Sequence, residues 1–207
     1  GVFLSTNNGT SWTSVNSGLT ELVVYCLSVS GTNIFAGTRG GLFLSTNNGK
    51  SWSKVNSGLT NKQVQCLAVS GTDIYAGTWN SGLFLSTNNG ESWTEVNTGL
   101  TNKNVQCLAV SGTNIFVATF GGVFLSTNNG SSWMEVNSWL AGYIVQCLAV
   151  SGSNLFAGTQ GGGLFLSTNN GESWSEVNSG LTNTNILCLA VSGTNIFAGT
   201  DGGGIFL

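Results

Sequence analysis

The 207-residue sequence predicts an all-β protein built from five copies of one four-stranded unit. Three observations carry this. The stretch Phe-Leu-Ser-Thr-Asn-Asn-Gly-x-Ser-Trp occurs five times, beginning at Phe3, Phe43, Phe84, Phe124 and Phe165. Its serine falls at 5, 45, 86, 126 and 167, a period of 40 or 41 residues. Between copies, short apolar runs alternate with Gly-, Asn-, Ser- and Thr-rich turns, and apolar residues nowhere show a helical period.

The second unit shows each element. Val64 to Val69 is a short, nearly continuous apolar run, read as a strand covered on both faces. Ser70 to Asp73 forms a tight turn with Gly71 where a positive φ is needed. Ile74 to Thr78 is the next strand, Trp79 to Gly82 a loop, and Leu83 to Ser86 the third strand. Thr87 to Glu91 turns the chain into a fourth strand, Ser92 to Val96, and Asn97 to Asn102 leads onward. These strands are called A to D, with A innermost. Four antiparallel strands in about 41 residues match one blade of a β-propeller. A blade cannot bury both faces alone, so neighbours must stack.

The ends are out of phase with the unit. The chain opens in strand C at Gly1 to Leu4 and closes with A, B and a second C-like segment, Gly204 to Leu207. The expected architecture is a single domain, residues 1–207, forming a five-bladed propeller whose ends share one blade. Gly1 to Leu4 is expected to hold the strand C place there, leaving 204–207 surplus and available for strand exchange with another molecule.

Composition narrows the function classes. Charged residues are 6% of the chain and the net charge is -3, which supplies no basic footprint for nucleic acid. No apolar run approaches the roughly 20 residues of a membrane-spanning helix. The start lacks a basic segment followed by an apolar one. The five cysteines, Cys26, Cys66, Cys107, Cys147 and Cys188, fall one per unit. That spacing argues against a disulfide framework, and without histidine it argues against zinc. They are expected to be buried thiols acting as small hydrophobes. No cofactor and no metal are expected.

Ser-Thr-Asn-Asn-Gly-x-Ser-Trp resembles the Asp-box, or BNR repeat, Ser/Thr-x-Asp-x-Gly-x-Thr/Ser-Trp/Phe. The resemblance covers all five units. It implies a propeller in which the box is the turn between strands C and D, a folding element remote from any active site. Sialidases, bacterial propeller lectins, sortilin-type receptors and photosystem assembly factors carry it, which implies a secreted or cell-surface setting. The Asp position is Asn in every copy: Asn7, Asn47, Asn88, Asn128 and Asn169. An Asn oxygen still accepts backbone N–H bonds across a turn, but the lost carboxylate removes support for calcium. The box tryptophans, Trp12, Trp52, Trp93, Trp133 and Trp174, are expected to pack.

Comparing the units places the variation. The A–B turn and the box turn hardly change. The residue after strand B is Arg39, Trp79, Phe120, Gln160 and Asp201, and the D–A loops differ as sharply. Strand alternation puts the B–C and D–A loops on one face, where a rigid scaffold presents binding residues. The candidate ligand-binding residues are Tyr25, Arg39, Lys62, Trp79, Lys103, Phe120, Trp139, Tyr143, Gln160 and Asp201, with Asp201 expected beside Arg39. Catalysis finds few tools: one arginine where sialidases use three, no histidine for a triad, and acids spread over box turns and outer strands rather than paired. The expected function is non-catalytic binding of a partner, glycan or protein. The leading form is a multivalent carbohydrate-binding lectin; a protein-interaction or structural scaffold is the alternative, whether a fragment of a larger protein or a designed repeat. The chain is expected to be monomeric, without nucleic acid and without membrane insertion.

Overall fold

The computed structural model describes all residues except Ser138 and Ala141. Among the described residues are 21 strands and no helix, and every pairing is antiparallel. The chain divides into two compact units, Gly1–Glu95 and Val96–Leu207.

The first unit opens with a two-stranded hairpin, β1 (Phe3–Leu4) and β2 (Thr13–Ser14). Two four-stranded sheets follow in chain order. One holds β3 (Val24–Ser30), β4 (Asn33–Thr38), β5 (Gly41–Ser45) and β6 (Ser53–Lys54). The other holds β7 (Val64–Ser70), β8 (Asp73–Thr78), β9 (Gly82–Ser86) and β10 (Thr94–Glu95). The second unit contains β11 (Val105–Ser111), β12 (Asn114–Thr119), β13 (Gly122–Ser126) and β14 (Met134–Glu135) in one sheet. Its next sheet is β15 (Val145–Ser151), β16 (Asn154–Thr159), β17 (Gly163–Ser167) and β18 (Ser175–Glu176). A three-stranded sheet ends it: β19 (Ile186–Ser192), β20 (Asn195–Thr200) and β21 (Gly204–Phe206). The described strands thus form six sheets, two of them short of four strands.

Strand D is shorter than its sequence suggests, Thr94–Glu95 rather than Ser92 to Val96. The Trp93 N–H leaves its own sheet and donates to the Ser57 carbonyl at 2.9 Å. Strand A carries a feature invisible in the sequence. Its register with strand B slips by one residue in every copy, between Val24 and Cys26, Val64 and Cys66, Val105 and Cys107, Val145 and Cys147, Ile186 and Cys188. The extra residue, Tyr25, Gln65, Gln106, Gln146 or Leu187, is a β-bulge, a device that re-aims a side chain. Beyond the bulge, Cys26 faces Gly37, Cys147 faces Gly158 and Cys188 faces Gly199. A Cβ at Gly37 would overlap the Cys26 sulfur and crowd Val64 of the next sheet. Glycine here makes room for the thiol.

The box turns behave alike in all copies. In the third, the buried Ser86 hydroxyl accepts from Gly90 N–H at 2.8 Å and donates to Asn88 Oδ1 at 2.9 Å. Asn88 Oδ1 also accepts the Ser92 N–H, and its Nδ2 donates to Ser92 Oγ at 2.9 Å. The amide thus uses both ends, and Asn89 sits at φ 55, a conformation Asn tolerates.

In four repeats the box Trp is tied to the segment that follows the preceding strand D. The indole N–H of Trp52 donates to the Val15 carbonyl at 2.7 Å, and Trp93 to Val55 at 2.8 Å, within the first unit. Within the second, Trp133 donates to Val96 at 2.8 Å and Trp174 to Val136 at 2.9 Å. The rings of Trp52, Trp93 and Trp174 belong to the apolar cores around Phe43, around Phe84 and around Phe116.

Two expectations are corrected. The strand C place beside β20 is taken by β21, with Phe206 opposite Ala198 and Ile205 opposite Gly199, not by Gly1 to Leu4. A short glycine hairpin, with Gly202 and Gly204 at positive φ, makes the local pairing cheap in loop entropy. All five cysteines are thiols, as expected, but only Cys66 is buried, and Cys188 is exposed. A Cβ at Gly199 would meet the Cys188 sulfur, as one at Gly37 would meet Cys26.

Burial pushes the thiols of Cys26 and Cys147 up to about 12, and that of Cys107 well above its usual value. A raised folded pKa gives stability that is present below the unfolded pKa of about 8.5 and lost as pH rises towards the folded value. The melting temperature is therefore expected to fall between roughly pH 8.5 and pH 11, and less so in a variant with Cys26, Cys107 and Cys147 changed to Ala. Trp93→Ala removes a 4% exposed ring with its hydrogen bond; urea unfolding should show a loss of about 3–5 kcal/mol.

Candidate ligand-binding loops

The B–C and D–A loops are tied together by one backbone hydrogen bond per repeat. The residue after strand B donates to the carbonyl just ahead of strand A. The pairs are Arg39 to Val23 at 3.1 Å, Trp79 to Gln63 at 3.0 Å, Phe120 to Asn104 at 3.2 Å, Gln160 to Ile144 at 2.9 Å and Asp201 to Asn185 at 3.0 Å. The two variable loops therefore form one surface in each repeat. A second tie is a side chain. Asn61 Oδ1 accepts the Gln63 N–H, and its Nδ2 donates to the Trp79 carbonyl. Asn183 does the same with Asn185 and Asp201, and Asn102 accepts from Asn104. In the first repeat Glu21 replaces this Asn and accepts the Val23 N–H at 3.0 Å.

The fourth repeat has Gly142, at φ 95, where the others have that side chain. Nothing lies within 4 Å of where its Cβ would be. A cavity of about 140 Å³ opens there, lined by Phe120, Gly121, Asn137, Leu140, Gly142 and Tyr143, among others. Phe120 and Tyr143 are 41% and 42% exposed. Tyr143 is held by its N–H to the Leu140 carbonyl at 3.1 Å and by its ring, tilted 43° against Phe165 with centroids 5.5 Å apart. Asn137 is fully engaged: its Oδ1 accepts from Val123, and its Nδ2 donates to Gly121 and Glu135. Its role is to hold the cavity wall.

The structure brings two of the ten candidate residues, Phe120 and Tyr143, to one cavity. Trp139 is next in chain to the lining Leu140 and is 77% exposed at φ 72. It stands where Gly18, Gly58, Gly99 and Gly180 take the same conformation in other repeats. A bulky residue at such a φ is a strained outlier, a reason to look for function. Tyr25 is a bulge residue lining a separate cavity with Val2, Phe3 and Leu27. Lys62, Lys103 and Gln160 are exposed, and Trp79 is half-buried.

Two of the charged candidates, Arg39 and Asp201, have partners within their own repeats. Arg39 Nε lies 3.4 Å from Glu21 Oε2, in the loops of its own repeat. Asp201 accepts from Asn185 Nδ2 at 3.0 Å. The Val23 N–H first, and then Arg39, hold the Glu21 carboxyl below its usual range. Sequence reasoning passed over the bulge glutamines and the loop-tying asparagines. The Gln106 Nε2 is buried without a hydrogen-bond partner; a lone glutamine inside three of the five apolar A runs was the available signal. Among the described residues, no three of His, Cys, Asp and Glu come together as a metal site, and no helix is long and apolar enough to cross a membrane.

Glu21 should titrate below an ordinary glutamate, and its stabilisation, present above the unfolded pKa, should fade as pH falls through the folded one. An NMR titration of Arg39→Ala should show only a partial return, because the Val23 N–H remains; complete return would give the leading role to Arg39.

The comparisons with known proteins agree on the architecture. An ancestral GH74 enzyme superposes with a TM-score of 0.79 at 22% identity, over 97% of this chain and 32% of that one. The extracellular domain of a one component system from B. thetaiotaomicron gives 0.73 at 19% identity, over 88% and 27%. YCF48 from Cyanidioschyzon merolae gives 0.74 at 14% identity, over 98% and 74%, and a YCF48 structure bound to D1 peptide also matches. The chain thus spans about a third or less of the first two, and these likenesses concern the fold alone. No curated protein matches by sequence. The sequence matches the DUF6242 beta propeller domain over residues 2–103 and again over 82–197, and the chain belongs to that family.

Proposed function

We propose that this chain is a non-catalytic binding domain that takes a neutral glycan on its B–C and D–A loops, chiefly at the Phe120–Tyr143 cavity. The observation that carries the reading is the pair of half-exposed rings flanking a cavity that exists because Gly142 lacks the loop-tying side chain. Aromatic faces stack on the apolar face of a sugar ring, while loop amides serve its hydroxyls. The low charge suits an uncharged ligand. The carboxylates on these loops, Glu21 and Asp201, already have partners, which supports binding rather than acid–base chemistry. Because every repeat ties its loops alike, the others present weaker versions of the same frame, and clustered glycans would gain by avidity.

A second reading is a peptide-binding platform. It is favoured by the residue after strand B, which differs in all five repeats, and by the YCF48 structure bound to D1 peptide. A glycan array with the purified chain separates the two. Tyr143→Ala and Phe120→Ala should each weaken binding of an array hit by about 1–3 kcal/mol. Gly142→Asn, a residue that accepts this φ, should refill the cavity and abolish binding with the fold intact. Undiminished affinity in all three variants would sink the glycan reading at this site. A blank array with peptide binding lost in the same variants would favour the second.

A further inference from the structure

Gly142 differs from two of its counterparts by one chemical group, and that group is an amide. In the second repeat Asn61 Oδ1 accepts the Gln63 N–H at 2.8 Å, while its Nδ2 donates to the Trp79 carbonyl. In the fifth, Asn183 Oδ1 accepts the Asn185 N–H at 2.9 Å, while its Nδ2 donates to the Asp201 carbonyl at 2.7 Å. One planar carboxamide thus spans a main-chain donor ahead of strand A and a main-chain acceptor after strand B.

The fourth repeat keeps that donor and that acceptor. By position they are the Ile144 N–H and the Gln160 carbonyl. The same backbone bond sets their relation: the Gln160 N–H donates to the Ile144 carbonyl at 2.9 Å, against 3.0 Å for Trp79 to Gln63 and for Asp201 to Asn185. Gly142 brings them no side chain, and among the described residues neither group has a hydrogen-bond partner in its place. Ile144 and Leu140 line the cavity together with Gly142.

We infer that the ligand of this cavity carries an acetamido group, which takes the place held by an Asn side chain in the second and fifth repeats. The inference rests on the glycan reading, which supplies the sugar; the donor and acceptor supply its substituent. The glycan is then one built from N-acetylhexosamine units. The acetamido oxygen accepts from Ile144, its N–H donates to Gln160, and its methyl meets the apolar lining. A hydroxyl offers one heavy atom where the Asn side chains use two. Two neighbouring hydroxyls offer two atoms, but one O–H is left to point at Leu140 and Ile144 without an acceptor, which is unfavourable.

An array of matched glycans tests this, its members differing only by an acetamido group or a hydroxyl at one carbon, such as N-acetylglucosamine and glucose oligomers of equal length. The acetamido members should bind at least about tenfold more tightly, because the analogue leaves polar groups of the site unpaired. Heteronuclear NMR of the wild-type chain should show the Ile144 amide proton moving downfield on titration with the N-acetylglucosamine oligomer. Gly142→Asn, its folding checked by circular dichroism, should lose the binding. Equal binding of both members, lost in Tyr143→Ala, overturns the acetamido inference and leaves the glycan reading standing. So does a preference that survives Gly142→Asn, or an Ile144 amide that does not move. A blank array overturns both, and does so in favour of a peptide if one bearing Asn or Gln side chains binds and Gly142→Asn abolishes that binding.

Discussion

The docking of a box Trp on the preceding repeat is the interaction on which the rest depends. A four-stranded sheet of this size has two apolar faces and cannot bury both by itself. The indole settles which face goes where. Its N–H needs a partner once the ring is buried, and the carbonyl after strand D supplies it. The segment carrying that carbonyl must pass close to the Trp backbone, which fixes a glycine at positive φ next to it. The same approach directs the Trp N–H out of its own sheet. Trp139 shows how far the constraint bends: a large side chain occupies the glycine position at φ 72, and Trp174 still donates to Val136.

Much of this was legible in the sequence, and the reasons differ by element. Strands A, B and C emerged within a residue or so, because their apolar runs and Gly-Asn turns are unambiguous at this length. The box turn was legible because its Ser, Asn and Gly are locally self-sufficient, bonding within five residues of one another. The bulge was not. A glutamine within Val-Gln-Cys-Leu-Ala-Val reads as an ordinary strand residue, and only the pairing register reveals that it stands outside the ladder. The choice of β21 over Gly1 to Leu4 was misread for a related reason, since two nearly identical segments differ in connectivity rather than in composition.

The candidate site was legible as a region and not as a geometry. Variation among repeats pointed to the B–C and D–A loops, and five hydrogen bonds tie those loops together. The cavity came from something missing, the side chain at Gly142, and a pattern of large residues does not announce a gap. The ion pair of Arg39 within its own repeat was not legible from a comparison between repeats. Its partner, Glu21, occupies the loop-tying position of its own repeat.

The alternation of 40 and 41 residues has its own consequence. The extra residue sits in the B–C loop, where Thr38 Oγ1 reaches the Gly41 carbonyl three residues on, and Thr78 Oγ1 reaches Gly82 four residues on. Strands B and C keep the same relative register on either side, Phe35 opposite Leu44 and Tyr75 opposite Leu85. An insertion is thus absorbed without moving a core residue. The opposite turns, locked by the box, have no such slack. New recognition can therefore be acquired by lengthening one set of loops while the scaffold beneath stays unchanged, an asymmetry of evolvability set by a threonine hydroxyl and a few glycines.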